Sequence, residues 1–270
     1  MPAATDFNHR TEDLHCERHD GVLVLTINRQ ESYNSWTSAL RDELARQFTA
    51  ANADPAVRGV VLTGAGDKAF CSGQDLSELE EFASGANIDE WIRRLTVCYD
   101  AVRAFGKPLV AAINGVAAGS GFQVTQFCDY VVAHPGARLG QTEVGAGLPS
   151  VFGTWLMWER VGRRAIELAL QGRLMGADEA KQLGFVQEIV PQEQVLERAL
   201  LAAQRLSQLP AVAYGLSKAA NCAMDQQRYA NAMEMALAYY REAFDTGAPQ
   251  AEIGRFFARR ARKRDPLAAR

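Results

Sequence analysis

A glycine-rich stretch at residues 114–129 has the composition of a site where backbone groups could bind an anion. It follows an apolar, strand-like run, Leu109–Ile113, and carries Gly115, Gly119 and Gly121 before a helical pattern begins. A buried strand that turns into a helix leaves N–H groups without partners at the helix start, where the macrodipole adds roughly half a positive charge. Such a junction can hold an anion, or an oxygen that becomes anionic during a reaction. The alternative is close helix–strand packing that requires small side chains.

A second junction of the same kind lies earlier in the chain, at residues 68–76. It leads from a short apolar run through Ser72 and Gly73 into an acidic, helix-like stretch, and Asp75 stands where an N-cap would. Further along, an irregular glycine-rich segment carries one carboxylate, Glu143, among apolar and small neighbours. A carboxylate in such surroundings is a candidate general acid or base. The alternative for Glu143 is a buried carboxylate that caps a backbone amide.

Several familiar catalytic motifs are absent from the sequence. The glycine spacing does not match the G-x-G-x-x-G dinucleotide fingerprint, and there is no P-loop and no G-x-S-x-G nucleophile elbow. Residues 1–18 form a polar stretch that we interpret as a loose arm, and three of the four histidines, His9, His15 and His19, lie in it or directly after it. A Ser120–His134–Asp129 triad is the remaining hydrolase hypothesis, with a packed or surface His134 as the alternative. No histidine–carboxylate cluster indicates a metal site.

The composition is that of an ordinary soluble globular protein. The 270 residues can form one large domain or a core with an appendage, and the net charge of −3 gives no general attraction to nucleic acid or anionic lipid. No apolar run approaches the ~20 residues that a membrane helix needs. The N-terminus lacks the apolar core of a signal peptide, and the five cysteines are scattered. We therefore expect a cytoplasmic protein with reduced thiols and without nucleic-acid or membrane partners.

The hydrophobic pattern predicts strands that alternate with helices up to about residue 190. Strands are predicted at residues 21–27, 57–63, 109–113, 129–134 and 185–190. Helices are predicted at residues 36–53, 77–82, 89–105, 155–171 and 177–183. The remaining chain is predicted to be helical in three or four segments, at about residues 191–207, 211–225, 228–245 and 249–263. The alternation favours parallel strand pairing in a mixed α/β core, and the change of pattern places a boundary near residue 190.

Taken in chain order, these pieces resemble the enoyl-CoA hydratase/isomerase (crotonase) superfamily, and the resemblance covers nearly the whole chain. It is carried by Asn28-Arg29, GAGDKAFCSGQDL at residues 64–76, NGVAAGSGF and CD within 114–129, LGQTEV at 139–144 and LMGADEAKQLGFVQEIV at 174–190. The resemblance implies an α/β fold in which residues 1–190 form a right-handed spiral of ββα units. It also implies a helical trimerisation region at residues 191–270, and hence a trimer or a dimer of trimers.

The resemblance further implies a reaction and the groups that perform it. Family members bind an acyl-CoA thioester, form an enolate at its α-carbon and hold the thioester oxygen in an oxyanion hole of two backbone N–H groups. The matching positions are Gln74 and Ser120, one at each glycine-bearing junction. Losing one such donor typically costs ~2.7–4 kcal/mol of transition-state stabilisation. Because CoA is part of the substrate, no separate cofactor is expected.

The resemblance places the CoA moiety along the loop after Asn28-Arg29 and along the 68–76 junction. Many family members have a proline after Asn-Arg and a lysine near position 32, whereas this chain has Gln30 and Ser32, so Lys68 is a candidate substitute. The basic run at residues 259–264 could meet the CoA phosphates across a subunit interface, or could be solvated. The expected substrate- and CoA-binding residues are Arg29, Ser32, Lys68, Ser72, Gln74, Leu76, Ser120 and Thr142.

The acid/base groups distinguish the reactions that occur in this family. Many hydratases use two glutamates, but the matching positions here are Gln123 and Glu143, and an amide can hydrogen-bond without exchanging a proton at neutral pH. Glu143 is therefore predicted to be the acid/base in hydration, in double-bond isomerisation, or in hydration followed by cleavage. The loop at residues 147–152 is more similar to relatives that act on aromatic enoyl-CoAs. Tyr239 or Tyr240 could contact a phenolic substrate, with a packed helix face as the alternative. The other hypothesis is a catalytically weak acyl-CoA-binding or RNA-binding relative.

Overall fold

The computed structural model of the protein describes residues 7, 9–80 and 87–264, so most of the predicted loop at 83–88 lies outside the described residues. The strands are β1 (His9–Arg10), β2 (Leu14–His19), β3 (Val22–Ile27), β4 (Gly59–Gly64), β5 (Ala69–Cys71), β6 (Leu109–Ile113), β7 (Val116–Ala118), β8 (Tyr130–Ala133), β9 (Arg138–Gly140), β10 (Met175–Gly176) and β11 (Glu188–Ile189). The helices are α1 (Ser38–Ala53), α2 (Leu76–Glu80), α3 (Ile88–Arg103), α4 (Ser120–Thr125), α5 (Phe152–Val161), α6 (Arg164–Gln171), α7 (Ala177–Gln182), α8 (Val195–Leu206), α9 (Ala211–Asp245) and α10 (Ala248–Arg264).

These strands form two sheets that share a repeated ββα arrangement. The larger sheet has the order β1-β2-β3-β4-β6-β8-β11, and the smaller has the order β10-β9-β7-β5. From β4 to β9, the first strand of each consecutive pair enters the larger sheet and the second enters the smaller one. Pairing among β3, β4, β6, β8 and β11 is parallel, as is pairing among β5, β7 and β9. The predicted α/β class and the predicted parallel pairing are therefore confirmed.

The larger sheet is buried on both faces because helices cover each side. All residues of β4 and β6 are buried, as expected of parallel strands that read as continuous apolar runs. Alternate side chains face opposite ways: Val60 and Leu62 join the main core, whereas Val61 joins a second cluster with Val110. Helix α8 supplies the other half of that second cluster, so it packs directly on the sheet.

The N-terminal stretch is not a loose arm in its described part, and that prediction was wrong. Strand β2 pairs with β3 in antiparallel fashion along its whole length. Its inward side chains, Leu14 and Cys16, are fully buried, and polar residues alternate with them. The sequence pattern was misread because a half-buried strand with charged outward residues has few apolar positions.

Three predicted helices have different bounds in the structure. The predicted helix at residues 155–171 is interrupted at Gly162, whose positive φ of 57° ends α5 before α6 begins. The segments predicted at 211–225 and 228–245 form the single 35-residue helix α9, because no glycine or proline separates them. None of the described helices is long and apolar enough to cross a membrane.

Candidate active site

The two glycine-bearing junctions meet at the ends of neighbouring strands. Strands β5 and β7 pair in parallel, so the loops that follow them leave the smaller sheet side by side. Gly73 has a φ of +104°, and a Cβ atom there would lie 3.0 Å from the Ala118 carbonyl oxygen and 3.6 Å from the Ser120 nitrogen. Gly119 has a φ of +53°, and a Cβ atom there would lie 3.9 Å from the Gly73 Cα. Both conformations favour glycine, and a side chain at either position would crowd the space between the junctions.

The backbone amides of Gln74 and Ser120 are free at this meeting point. Gly73 O and Asp75 N both bond to Trp36, so in this bridge the N–H of the intervening Gln74 points away from Trp36. Ser120 is the first residue of α4, where an N–H has no partner within the helix. Among the hydrogen bonds of the described residues, neither amide serves as a donor. Both residues line the same cavity of about 90 Å³.

Glu143 lies against the same two junctions. It begins the short 3₁₀ segment Glu143–Ala146, and a Cβ atom on Gly119 would lie 3.6 Å from its Oε1. The carboxyl group accepts hydrogen bonds from Gln123 Nε2 at 2.8 Å and from Ser150 Oγ at 3.4 Å. Burial raises the pKa of Glu143 to about 7, against the hydrogen bonds that oppose this change. A carboxyl group with this pKa can both accept and donate a proton near neutral pH.

The far end of the cavity is apolar and aromatic. Trp91 and Leu95 come from α3, Tyr240 comes from α9, and Leu148 comes from the segment after Glu143. The Trp91 and Tyr240 rings pack with centroids 5.8 Å apart. The spacing of Trp91 and Leu95 in the sequence is that of any buried helix face, and only the packing shows that the core leaves a gap beside them.

A wider groove of about 610 Å³ opens from the cavity to the surface. Five residues line both the groove and the cavity: Ser72, Gln74, Leu76, Thr142 and Ala146. The first three of them lie on the 68–76 junction. Helix α10 of the same chain closes one side of the groove. Its other lining residues include Ser32, Tyr33, Phe256, Phe257, Arg259 and Arg260. The start of the basic run thus reaches the groove of its own chain; the side chains after Arg260 lie outside the described residues.

Two of the expected CoA-binding side chains lie elsewhere in the described structure. The Arg29 guanidinium pairs with Asp75 at 2.7 Å and with Asp13 at 3.4 Å, and Arg29 is not among the residues that line the groove. Lys68 is exposed and is also not among them. Asp75 accepts hydrogen bonds from the backbone and the hydroxyl of Ser77, so its predicted capping role is confirmed.

The structure contradicts the hydrolase triad. Asp129 accepts a hydrogen bond from the Leu109 amide and pairs with Lys218 at 2.8 Å, so it does not orient a histidine. His134 Nδ1 accepts from the Gly136 amide. Ser120 Oγ is buried and, within the described part of the chain, has no hydrogen-bond partner. In the same described residues, no group of three or more His, Cys, Asp or Glu side chains could hold a metal ion.

Comparison with known proteins places this arrangement in a family. The sequence matches the family described as enoyl-CoA hydratase/isomerase over residues 17–263. The chain belongs to the enoyl-CoA hydratase/isomerase family. As a family member it is an enzyme of the hydratase/isomerase class, and the family supports an acyl-CoA substrate.

Individual members of the enoyl-CoA hydratase/isomerase family are similar along most of the chain. The protein is 32% identical over 234 residues to 2,3-dehydroadipyl-CoA hydratase of Escherichia coli (strain K12), which covers 86% of this chain and 89% of that one. It is 31% identical over 246 residues to 1,2-epoxyphenylacetyl-CoA isomerase of the same organism, and the match covers 89% of this chain and 94% of that one. A solved structure of an enoyl-CoA hydratase/isomerase from Mycobacterium paratuberculosis superposes with a TM-score of 0.83 at 25% identity. The superposition covers 91% of this chain and 98% of that one. The predicted crotonase-like fold is confirmed.

Two residues of the site were missed by sequence reasoning. Tyr99 on α3 donates a hydrogen bond to Gln123 Oε1 at 2.7 Å. Gln141, which directly follows β9 and is fully buried, lies against the Glu143 carboxyl group. Tyr99 could have been found, because it lies four residues after Leu95 on the inward face of its helix. Gln141 gave no signal beyond its place next to Glu143 in the family motif.

Proposed function

We propose that this enzyme moves a proton on an enoyl-CoA thioester through an enolate. Glu143 is the acid/base, and the backbone amides of Gln74 and Ser120 form the oxyanion hole. The observation that carries the proposal is that these three groups line one cavity of about 90 Å³. Preorganised N–H groups that face a developing oxyanion supply much of the catalysis in such a site, because they need no reorganisation when the charge appears.

Three reactions follow from this set of groups. In hydration, the Glu143 carboxylate takes a proton from water while the water oxygen bonds to C3, and the proton then goes to C2 of the enolate. In isomerisation of a 3-enoyl-CoA, Glu143 takes a proton from C2 and returns it to C4, with the double bond moving to C2–C3. In hydration followed by cleavage, the 3-hydroxyl gives its proton to Glu143 while the C2–C3 bond breaks and its electron pair forms the enolate. C3 leaves as a carbonyl compound, and Glu143 returns the proton to C2 of the enolate. None of these steps needs a separate cofactor.

We place the CoA moiety in the groove that opens from the cavity. Ser32, Ser72, Leu76 and Thr142 line this groove and are retained as CoA-contacting residues. For Arg29 we propose an indirect role, in which it holds Asp75 in place at the 68–76 junction. Lys68 lies outside the groove wall, so we propose no CoA contact for it.

The test is an assay of the purified protein with crotonyl-CoA, a 3-enoyl-CoA and feruloyl-CoA, with the products identified by mass spectrometry. Turnover of at least one substrate is expected, and Glu143→Gln should reduce it on the order of 10²–10⁴-fold. The exposed Glu193→Gln is the matched control and should leave turnover unchanged. Unchanged turnover in Glu143→Gln would remove the proposed acid/base.

Gln123 favours a second candidate, a family member that binds acyl-CoA with little catalysis. Its amide fills the position that many hydratases give to a second glutamate, and its nitrogen already donates to Glu143 at 2.8 Å. Calorimetry with octanoyl-CoA alongside the substrate panel separates the two candidates. Binding without any product would favour the binding protein over the enzyme, and the net charge of −3 argues against the RNA-binding variant of this idea.

We also propose that the helical region at residues 191–270 mediates self-association as a trimer or a dimer of trimers. Helix α9 exposes large apolar side chains in its first half, with Val212 75%, Leu216 66% and Met224 74% exposed. Contiguous exposed apolar surface of this kind commonly marks an interface. Light scattering should give three or six times the mass of 29.6 kDa, and a monomer across micromolar concentrations would contradict the proposal.

A further inference from the structure

Helix α1 carries a fully buried arginine, Arg41, whose guanidinium group contacts two residues of the cavity wall. Its Nη1 donates a hydrogen bond to the side-chain oxygen of Gln74, Oε1. Its guanidinium carbon lies 5.2 Å from the centroid of the Trp91 ring, which is the geometry of a cation–π contact. Gln74 and Trp91 both line the cavity, whereas Arg41 is not among its lining residues. Arg41 therefore supports the wall from outside the cavity.

A buried guanidinium group is costly unless its N–H groups are paired, so its partners are informative. Nη2 of Arg41 donates to the Ser38 hydroxyl at 2.7 Å and lies 3.8 Å from Glu78 Oε2. Ser38 in turn donates from its amide and its hydroxyl to the Glu78 carboxylate, at 2.7 and 2.9 Å. Burial lowers the pKa of Arg41 and Glu78 opposes this change, so the guanidinium group keeps its charge. The start of α1 is thereby tied to α2, which follows the 68–76 junction.

The Gln74 side chain depends on its contact with Arg41. Among the hydrogen bonds of the described residues, that side chain takes part only in the bond to Arg41, and its Nε2 is buried without a partner. The backbone on either side of Gln74 is bonded to Trp36, by Gly73 O at 2.8 Å and by Asp75 N at 2.9 Å. Because Trp36 comes just before α1, one short segment of the chain holds Gln74 by its backbone and by its side chain.

These anchors bear on the direction of the Gln74 N–H. The peptide that carries this N–H follows Gly73, which has a φ of +104°, and a glycine lets a peptide plane rotate at little cost. A side chain that is fixed at its far end restrains the Cα atom of Gln74 and so limits that rotation. An oxyanion donor is effective when it needs no reorganisation as the charge appears, so such a restraint contributes to catalysis.

We propose that Arg41 is a positioning residue for the oxyanion hole. It anchors the Gln74 side chain, which fixes the direction of the Gln74 N–H, and it supports the Trp91 ring at the cavity wall. This inference rests on the proposed role of the Gln74 amide as an oxyanion donor. Arg41 itself contacts neither the substrate nor the reacting atoms.

The first test follows the Gln74 amide by NMR in the resting protein, so it needs no turnover. In protein labelled with ¹⁵N-glutamine, the backbone signal of Gln74 is identified by its loss in Gln74→Met. It should broaden in Arg41→Met, because the peptide then exchanges between orientations. The signal of Gln204, which lies in α8 and outside the cavity wall, should not change. A Gln74 signal as sharp in Arg41→Met as in the wild type would overturn the proposal.

Steady-state kinetics with a substrate that the wild type turns over supply the second test. Arg41→Met should lower kcat about tenfold with little change in KM, which is part of the roughly 10²–10³-fold that a complete donor supplies. Gln74→Met keeps the backbone N–H and should lower kcat by a similar factor. The double variant should lose no more than either single variant, because both act through one contact. A multiplied loss of about a hundredfold would show independent effects and overturn the proposal.

Arg103→Met is the matched control for the loss of a buried, stacked arginine. The Arg103 guanidinium carbon lies 4.1 Å from the Tyr229 ring centroid, and the group pairs with Asp225 at 2.7 Å. None of these three residues is among those that line the cavity, so Arg103→Met should lose stability with kcat nearly unchanged. Equal losses of kcat in Arg41→Met and Arg103→Met would reduce Arg41 to a packing role.

Arg41→Lys covers the case in which Arg41→Met does not fold. It keeps the buried charge and a donor for Gln74, so its kcat should lie between those of Arg41→Met and the wild type. A kcat of Arg41→Lys and of Gln74→Met equal to that of the wild type would overturn the proposal. The two proposals fail separately. A wild type that turned over none of the substrates would remove the proposed function, while the Gln74 signal would still test the anchoring by Arg41.

Discussion

The guanidinium of Arg260 lies over the ring of Tyr33, with 5.8 Å between the guanidinium carbon and the ring centroid. The same side chain donates a hydrogen bond to the Glu31 carbonyl oxygen at 2.6 Å. These contacts hold helix α10 against the loop after β3, at the opening of the groove. Two cations, Arg259 and Arg260, thereby line the groove in which the CoA moiety is proposed to bind.

Replacement of both groove arginines, Arg259→Gln with Arg260→Gln, should weaken binding of the nucleotide part of the substrate. We expect KM for an enoyl-CoA to rise about fivefold with kcat little changed, because exposed charge contacts to phosphates are worth about 1 kcal/mol. Steady-state kinetics at low and high salt measure this effect. Arg255→Gln, on the same helix but paired with Glu252 and outside the groove wall, should behave as wild type. An enoyl-pantetheine substrate should be insensitive to the double change, and equal effects on both substrates would exclude phosphate contacts.

Ser120→Pro should remove one oxyanion donor while keeping the helix. Ser120 is the first residue of α4, a position at which proline is well tolerated because its missing N–H has no helical partner. We expect kcat to fall about 10²–10³-fold with the thermal midpoint nearly unchanged. Ser120→Ala keeps the N–H and loses only a buried hydroxyl that has no partner among the described residues, so its effect should be far smaller. Equal losses in the two variants would assign the role to the hydroxyl instead of the amide.

The free energy of unfolding should depend on pH because the Glu143 carboxyl group titrates in the folded protein. Its pKa is raised from 4.5 to about 7 in the folded state, mainly by burial, so the folded protein binds more protons than the unfolded chain between these values. The favourable contribution is fully present below the unfolded pKa and is lost as pH rises through 7. The free energy of unfolding should fall by up to about 3 kcal/mol over this window from this group.

Glu143→Gln removes that titration, so the variant should gain stability relative to wild type as the pH rises. Urea unfolding at pH 5 and pH 8 measures the difference, which should be larger at pH 8. If the free energies of unfolding of the wild type and Glu143→Gln differ by the same amount at both pH values, the buried carboxyl group does not titrate in this range.

The close approach of the two junctions should make Gly121 intolerant of a side chain. A Cβ atom at this position would lie 2.2 Å from the Cys71 carbonyl oxygen, which belongs to β5 and cannot move freely. Gly121→Ala should lower the free energy of unfolding by about 2 kcal/mol or more and reduce activity with it. Gly254 lies in α10, where, apart from its own helix backbone, no atom of the described residues lies within 4 Å of its Cβ position, so Gly254→Ala should instead be stabilising by about 0.5–1 kcal/mol. Thermal unfolding of Gly121→Ala and Gly254→Ala tests this difference. Similar shifts of the melting temperature in both variants would argue against a steric clash with the Cys71 carbonyl oxygen.

The sequence alone determined the elements that frame the site and several of its groups. The apolar runs of β4 and β6, the glycines of both junctions and the single carboxylate at Glu143 are local features, and strand or helix formation depends mainly on such short-range patterns. The bounds of α9 and the strand β2 were predicted less well. The sequence does not show that the two helices predicted at 211–225 and 228–245 are continuous, and a half-buried strand with charged outward residues gives a weak local signal.

Tertiary structure decided which of these features meet. Gly73 and Gly119 approach each other only because β5 and β7 pair in parallel, and no local pattern encodes that pairing. Packing also turned Tyr99 toward Gln123, placed Trp91 beside a cavity instead of in solid core, and brought Arg260 to the groove of its own chain. Contacts of this kind join residues far apart in the chain, so their geometry follows from the packed fold and not from the spacing of residues.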